Sequence, residues 1–169
     1  MVDNASFRDG APLRGVAIRQ ATVDDIPDLV RLRRMMFEAM KVGDPLIVEA
    51  TERACTAYFA EAIPSGAFHG WLAVTPAGEA VSACGVVIDQ HPPTPGNFSG
   101  RVGYMMNVVT TPEYRRRGLA RRVTQAALQW LEEQGIQRVA LHATEMGQPL
   151  YESLGFEVVP NEMRLEMGE

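Results

Sequence analysis

One segment in the second half of the chain, residues 108–120, constrains the fold more than any other. Its sequence is VVTTPEYRRRGLA, an apolar β-branched pair followed by turn-forming residues, three arginines and Gly118. Such a run predicts a strand that ends in a short turn. Leu119 and Val123 then begin an apolar spacing typical of a helix face. The segment therefore predicts a strand, a tight turn and the start of a helix.

The turn before this helix predicts a binding site for an anion. The first N–H groups of a helix have no partner within the helix, and the helix dipole places positive charge behind them. Neither G-x-x-x-x-G-K-[ST] nor G-x-G-x-x-G occurs in the chain. Cations at this end of a helix are unfavourable unless an anion is present, so a diphosphate-bearing ligand is favoured over a solvated cluster. The cations concerned are Arg115, Arg116, Arg117, Arg121 and Arg122.

Length, charge and cysteine content narrow the classes of protein. The chain has 169 residues, and we expect a loose arm over residues 1–14 and a single domain over residues 15–169. A formal net charge of -5 argues against nucleic acid as a partner. No apolar run approaches the ~20 residues of a membrane span, and the arm lacks the pattern of a signal peptide, so we expect a cytoplasmic protein without a membrane partner. Cys55 and Cys84 lie outside any C-x-x-C pair, and no metal site is expected.

Hydrophobic periodicity predicts elements in the order β-α-α-β-β-β-α-β-α-β-β. A helix that connects two strands implies that these strands are parallel, whereas the hairpin signals imply antiparallel pairs elsewhere. The pattern therefore predicts an α/β fold with a mixed sheet. Helices are expected at about residues 24–40, 47–63, 119–134 and 148–154, and strands at 16–20, 68–75, 80–89, 101–110, 137–143, 156–159 and 162–167.

Two motifs in this framework resemble those of a known family. Arg115, Gly118 and Ala120 have the spacing R/Q-x-x-G-x-G/A, which resembles the acetyl-CoA motif of the GNAT superfamily of N-acetyltransferases. Residues 150–156, LYESLGF, resemble the L-Y-E-x-L-G-F signature of the same family. The chain is therefore similar to this family in two separate segments.

The resemblance implies a particular architecture. The element order is similar to the GNAT fold over about residues 15–167, and the motifs themselves cover about residues 101–156. A central twisted mixed sheet of about seven strands, flanked by about four helices, is implied. Strands 101–110 and 137–143 would splay apart at their C-terminal ends.

The same resemblance implies acetyl-CoA as the cosubstrate and no metal. The pantetheine arm would lie in the splay, and the pyrophosphate would bind the N–H groups of residues 116–120. Gly118 and Ala120 are small enough for the backbone to approach the phosphates. The residues expected to bind the cosubstrate are Val108, Val109, Thr110, Arg115, Arg116, Arg117, Gly118, Leu119, Ala120 and Arg121.

The resemblance further implies direct attack of a primary amine on the thioester. Tyr151 would be the general acid that protonates the departing thiolate, and a packed aromatic side chain is its alternative role. The amine must lose a proton before it attacks, and His142 is the expected base because its ordinary pKa is near neutrality. A histidine satisfied by neighbouring backbone is equally compatible, and Glu145 is a second candidate. Backbone N–H groups near Val108 are candidate donors to the oxyanion.

The acceptor amine is not specified by these motifs. A small-molecule amine and a protein amine both remain open, as do a non-catalytic acyl-CoA sensor and a homodimer, since many relatives form pairs. We expect the acceptor pocket at residues 41–46, the second helix, the loop 90–100 and the final hairpin. Acidic residues near the expected mouth would suit a cationic amine, although a solvated helix face is favoured; they are Glu38, Asp44, Glu49 and Glu52.

Overall fold

Five strands form one mixed sheet at the centre of the protein. The computed structural model describes residues 13–160 and 163–167. Neighbours among the first four strands are antiparallel, and the last two strands are parallel, as the connecting helix predicts. In their order across the sheet, the strands are β1 (Ala17–Gln20), β2 (His69–Val74), β3 (Ala80–Gln90), β4 (Arg101–Thr110) and β5 (Val139–Leu141).

Helices cover both faces of this sheet. The first two pack on one side, where their apolar side chains join Leu72 and Val109, and we call this side the α1/α2 face. The third packs on the other side with Cys84 and Met105, and we call this side the α3 face. Because alternate residues of a strand point to opposite faces, the central strands contribute to both cores. The helices are α1 (Ile26–Ala39), α2 (Pro45–Ser65), α3 (Leu119–Glu133) and α4 (Gln148–Glu152), and short 3-10 turns at Val23–Asp25 and Pro112–Tyr114 precede α1 and α3.

The parallel strands β4 and β5 separate before β4 ends. Gly103 of β4 lies opposite Val139 of β5, and the pairing stops where Met105 meets Leu141. β4 continues to Thr110, and beyond Met105 no described strand pairs with it on this side. The predicted splay between the two strands is therefore confirmed, and it leaves an open edge of β4 backbone.

A β-bulge sets the direction of the open part of β4. Asn107 and Val108 together lie opposite the single residue Cys84 of β3. Asn107 has a φ of 56°, a left-handed conformation that asparagine tolerates better than most residues. The extra residue changes the alternation, so that Met105 and Val108 both face α3 although they are three positions apart.

The C-terminal part of the chain corrects the expected number of strands from seven to five. Residues 156–160 and 163–167 contain no helix or strand, although closing strands are expected at 156–159 and 162–167; residue 162 lies outside the described residues. Their apolar side chains are mostly exposed, with Val159 and Leu165 both at 81%. Alternating apolar residues form a strand only where a neighbouring element buries them, and these segments have no such neighbour in the described part of the chain.

Most of the expected N-terminal arm, residues 1–12, lies outside the described residues. Leu13, which belongs to that arm, packs against the core of the α3 face. Its carbonyl accepts a hydrogen bond from the Val16 N–H at 3.3 Å. The folded part of the chain therefore includes Leu13.

Asp25 stabilises the 3-10 turn that precedes α1. Its carboxylate accepts a hydrogen bond from the Thr22 N–H at 2.8 Å and two from the Arg19 guanidinium, at 2.7 and 2.8 Å. The hydrogen-bonded Arg19 lowers the pKa of Asp25 from 3.8 to about 2, against the opposing effect of burial. The carboxylate is buried, whereas the Arg19 side chain is about half exposed.

Replacing Asp25 with asparagine should lower the free energy of unfolding by about 1–2 kcal/mol at neutral pH, since solvent partly screens Arg19. The folded-state pKa lies below the unfolded one. The contribution of the carboxylate is therefore complete above about pH 4 and is lost as the pH falls towards about 2. Urea unfolding between about pH 7 and about pH 3 should show the difference between parent and variant shrinking. Asp24→Asn is the control, because Asp24 is an exposed neighbour. A difference in the free energy of unfolding between the parent and Asp25→Asn that does not depend on pH would contradict the role of the ion pair.

Candidate functional site

The turn between β4 and α3 gathers the residues expected to bind an anion. Arg116 has a φ of 58° and Gly118 a φ of 75°, both left-handed, and α3 begins at Leu119. Glycine adopts this conformation without steric cost, which explains Gly118 at the residue that caps the helix. Leu119 is buried in the core of the α3 face and fixes the turn against the sheet.

This turn presents a row of backbone donors. The N–H groups of residues 116–121 have no hydrogen-bond acceptor within the described part of the chain. The first helical bond runs from the Arg122 N–H to the Gly118 carbonyl at 3.1 Å. With the positive end of the helix dipole behind them, these donors suit a phosphate or another anion. The geometry therefore fits a diphosphate group.

The arginines that enter the turn are held by contacts with β4 and with the 3-10 turn. The Arg115 Nε donates a hydrogen bond to the Thr110 carbonyl at 3.1 Å. The Arg117 guanidinium lies 5.5 Å from the centre of the Tyr114 ring, a cation–π contact. These contacts hold both guanidinium groups in place, and their other N–H groups stay available to donate to an anion.

The arginines inside α3 connect the helix to other elements. Arg121 donates a hydrogen bond to the Ser153 hydroxyl at 2.6 Å, which ties α3 to the end of α4. Arg122 donates to the Val16 carbonyl at 3.0 Å, next to β1. Arg122 is therefore directed towards the opposite edge of the sheet from the turn, and its role is structural.

A cavity of about 1250 Å³ lies beside the turn. Its walls include Val108 and Leu119 of the α3 face as well as Met36 and Met106 of the α1/α2 face. A single cavity with walls on both faces has to pass through the sheet, and the splay between β4 and β5 is where the sheet is open. The cavity therefore connects the two faces through the splay.

Nearly all the residues expected to bind the cosubstrate line this cavity. Arg117 is the exception and does not line it. The structure thus brings the end of β4 and the start of α3 to one wall. The expected residues that line it are Val108, Val109, Thr110, Arg115, Arg116, Gly118, Leu119, Ala120 and Arg121.

Tyr151 lies in α4 and lines the same cavity. The turn after α4 folds back so that the Phe156 N–H donates to the Tyr151 carbonyl at 3.0 Å, and the two rings meet edge to face at 5.8 Å. Burial raises the pKa of Tyr151 to about 12. The phenol therefore keeps its proton at neutral pH and is able to donate it.

His142 directly follows β5 and also lines the cavity. Its ring is exposed, and its Nδ1 shares a hydrogen bond with the Tyr104 hydroxyl. Leu141 belongs to the α3 face, so alternation directs His142 to the α1/α2 face. Glu145, in the loop that follows, lines the cavity as well. Both expected bases therefore share a cavity with Tyr151.

Two other titratable groups, Cys84 and His69, do not line the cavity. Burial raises the pKa of the Cys84 thiol to about 12, so the thiol stays neutral and is a poor nucleophile. Burial also lowers the pKa of His69, whose ring centre lies 4.1 Å from that of Trp130. Among the residues that the structure describes, no group of three or more His, Cys, Asp or Glu side chains is placed to hold a metal ion. No described helix is both long and apolar enough to cross a membrane.

Parts of the cavity wall are not foreseen from the sequence. They are Tyr104, which holds His142, Asn107 at the bulge, and Met36 and Met40 near the end of α1. Because neighbouring side chains of a strand point to opposite faces of the sheet, the sequence could have placed Tyr104 and Met105 on different faces. The bulge and the position of α1 depend on how the elements pack, and no local signal announces them.

The part of the cavity at the α1/α2 face, which we call the acceptor side, differs from the acceptor pocket expected from the sequence. The cavity reaches the C-terminal end of α1, whereas residues 41–46, α2, the loop 90–100 and the described residues after 153 do not line it. The acidic residues expected near the mouth do not line the cavity and are engaged with other groups. Glu38 and Glu52 pair with Arg34, Glu49 pairs with Arg53, and Asp44 caps α2.

Known proteins match this chain over most of its length. The profile of the Acetyltransferase (GNAT) family matches residues 31–156, about three quarters of the chain. A GCN5-related N-acetyltransferase from Ralstonia eutropha JMP134 is 28% identical, with a TM-score of 0.81, and the alignment covers 91% of this chain and 100% of that one. A predicted acetyltransferase with acetyl-CoA from Clostridium acetobutylicum is 24% identical, with a TM-score of 0.81, over 89% of this chain and 96% of that one.

Two curated relatives match over shorter segments. A mycothiol acetyltransferase from Saccharomonospora viridis is 33% identical over 82 residues, which is 46% of this chain and 27% of the relative. A glucosamine 6-phosphate N-acetyltransferase from Trypanosoma brucei brucei is 33% identical over 66 residues, 39% of this chain and 45% of the relative. The chain thus spans less than half of the length of either curated relative. The family profile, in contrast, covers β4, the turn and α4 together, and the chain therefore belongs to the GNAT family of acetyltransferases.

Proposed function

We propose that the protein transfers an acetyl group from acetyl-CoA to a primary amine. The observation that carries this proposal is the cavity through the splay, which joins the donor turn, Tyr151 and the α1/α2 face. A reaction between two substrates requires both to meet at one point in a defined orientation. Because the cavity has walls on both faces of the sheet, each substrate has its own side from which to approach the other.

The residues proposed to hold acetyl-CoA lie at the α3 face. The N–H groups of residues 116–121, with Arg115, Arg116 and Arg121, would bind the pyrophosphate. The open backbone of β4 from Val108 to Thr110 would pair with the amide groups of the pantetheine arm. The bound molecule supplies an activated acetyl thioester, and this chain supplies orientation and proton transfer.

The proposed reaction exchanges one bond for another. The amine nitrogen bonds to the carbonyl carbon, and the carbon–sulfur bond breaks. His142, oriented by Tyr104, accepts the proton that the ammonium must lose before it attacks, and the nitrogen loses a second proton to water after the new bond forms. Tyr151 donates its proton to the departing sulfur. Backbone N–H groups near Val108 stabilise the charge on the carbonyl oxygen. Proton exchange with water then restores both side chains, and the products are an acetylated amine and CoA.

The proposal includes a cytoplasmic location and a partner that is not nucleic acid. Cys55 and Cys84 are both free, as is usual in a reducing compartment. The net charge of -5 disfavours binding to nucleic acid. Pairing of two copies is also part of the proposal, since exposed apolar side chains such as Val159 and Leu165 offer a surface for it.

The direct test is an acetyl-transfer assay with acetyl-CoA and a panel of primary amines. We expect release of free CoA thiol that depends on the amine, with the acetylated product identified by mass spectrometry. The tertiary-amine counterpart of each active amine is the matched control, because it cannot form a stable amide. Tight binding of acetyl-CoA without transfer to any amine would favour a non-catalytic acyl-CoA sensor.

A further inference from the structure

The acceptor side of the cavity is lined by thioether and methyl groups. Met36 and Met106 are partly buried against the core of the α1/α2 face and form part of the cavity wall. Ala39 and Met40, in the last turn of α1 and at its end, extend the wall outwards. Methionine is flexible and polarisable, so a wall of this kind adapts to apolar ligands of varied shape.

The mouth of this side is also apolar. Met40 is 49% exposed, and Met146, on the loop between β5 and α4, is 90% exposed; both line the cavity. Exposed apolar side chains that cluster at a cavity mouth are typical of a ligand site. The mouth therefore presents an apolar surface to an incoming acceptor.

The positive charges of the cavity lie at its other end. The arginines that line it all belong to the donor turn or to the first turn of α3, and Glu145 is the one carboxylate among the described lining residues. Arg33 of α1 lies close by, but its guanidinium is hydrogen-bonded to Asn107 and stacked 4.7 Å from the centre of the Phe37 ring. Arg33 itself does not line the cavity. Outside the donor turn and α3, the described lining residues therefore include no lysine or arginine for a phosphate, whereas Glu145 offers a carboxylate to an ammonium group.

We propose that the acceptor is a primary amine carried on an apolar aryl or branched alkyl group, which packs between the end of α1 and Met146. This inference rests on the proposed function and specifies its substrate class. The amine group lies towards His142 and Glu145, and the apolar body occupies the methionine-lined wall. A phosphorylated amino sugar, the substrate class in the name of one relative, does not fit this wall.

The first test compares three amines under saturating acetyl-CoA. They are 2-phenylethylamine, ethanolamine as a small polar amine, and glucosamine 6-phosphate. Burial of the aryl group should raise kcat/KM for 2-phenylethylamine at least about tenfold above that of ethanolamine. A higher kcat/KM for glucosamine 6-phosphate than for 2-phenylethylamine would overturn the inference and leave the proposed function intact.

The second test uses two adjacent methionines of α1. Met36 lines the cavity, whereas Met35 packs against the same core but lines a separate shallow groove with Ile26 and Thr56. We expect Met36→Gln to lower kcat/KM for 2-phenylethylamine about tenfold. The kcat/KM for ethanolamine and the KM for acetyl-CoA should change little. Met35→Gln, the matched control, should leave the ratio between the two amines unchanged. Equal ratios in both variants and the parent would overturn the inference.

A binding measurement separates failure of this inference from failure of the proposed function. Calorimetric titration of 2-phenylethylamine into the protein saturated with CoA requires no turnover. Suppose that 2-phenylethylamine binds, that Met36→Gln but not Met35→Gln weakens this binding, and that the acetyl-transfer assay shows no product. This result would support the apolar acceptor wall and contradict the proposed enzymatic function. Acetyl transfer to polar amines without detectable binding of 2-phenylethylamine would support the proposed enzymatic function and contradict the apolar acceptor wall.

Discussion

Replacing Tyr151 with phenylalanine is expected to lower kcat by about 10²–10⁴-fold, the usual contribution of a positioned general acid. The substitution removes one hydroxyl and keeps the ring, so the edge-to-face contact with Phe156 at 5.8 Å is retained. The affinity for acetyl-CoA should stay close to that of the parent, because the proposed pyrophosphate donors belong to the turn before α3. Steady-state kinetics and a direct binding titration check the two halves of this expectation.

The pH dependence of this variant gives a second readout. Because burial raises the pKa of Tyr151 to about 12, the protonated acid is present throughout the neutral and mildly alkaline range. The parent should therefore lose no activity between about pH 7 and about pH 10 through deprotonation of this group. An alkaline loss of kcat in this range that disappears in Tyr151→Phe would contradict the raised pKa.

Tyr58→Phe is the control for the loss of a phenol. Tyr58 lies on α2, half exposed and outside the cavity, so this variant should keep the kcat of the parent. A Tyr151→Phe variant with undiminished kcat would assign proton transfer to another group or to water. A parent without turnover would leave nothing for the substitution to remove and would favour the acyl-CoA sensor.

The parts of the fold and of the site that the sequence predicted correctly depend on local features of the chain. The apolar strand, the glycine that takes a left-handed φ at Gly118 and the helical spacing after it are all set within residues 101–131. The parallel arrangement of β4 and β5 follows from the helix between them. A splay at this point was implied by the resemblance of the two motifs, and the pairing that stops at Met105 bears it out.

Features that depend on packing between distant segments were not predictable in the same way. The sequence of β4 is mostly apolar between Tyr104 and Val109, so nothing local shows that Asn107 and Val108 share one partner on β3. The contact between Tyr104 and His142 joins residues 38 positions apart and requires the register of the parallel pair. Residues 163–167 alternate as a strand would, but strand formation needs a neighbour that the pattern cannot specify.

The turn itself is tested by acetyl-CoA-dependent thermal unfolding of the parent and of Gly118→Glu. A ligand at about 100 times its Kd adds ~2.7 kcal/mol to the stability of the folded state, a rise of roughly 5–10 °C in Tm for a domain of this size. The glutamate introduces a side chain at a left-handed φ of 75° and a negative charge beside six backbone donors. We therefore expect the variant to lose the ligand-dependent rise.

Gly135→Glu separates the loss of a binding site from a loss of stability. Gly135 lies just after the other end of α3 with a φ of 73° and open space around it. The left-handed strain should therefore cost about 1–2 kcal/mol in both variants. Only Gly118→Glu should abolish the rise with acetyl-CoA. If both variants lost it, destabilisation rather than the turn would be responsible. If Gly118→Glu kept it, the diphosphate would have to bind elsewhere, because a carboxylate at this position would repel the phosphates from the N–H groups that are proposed to hold them.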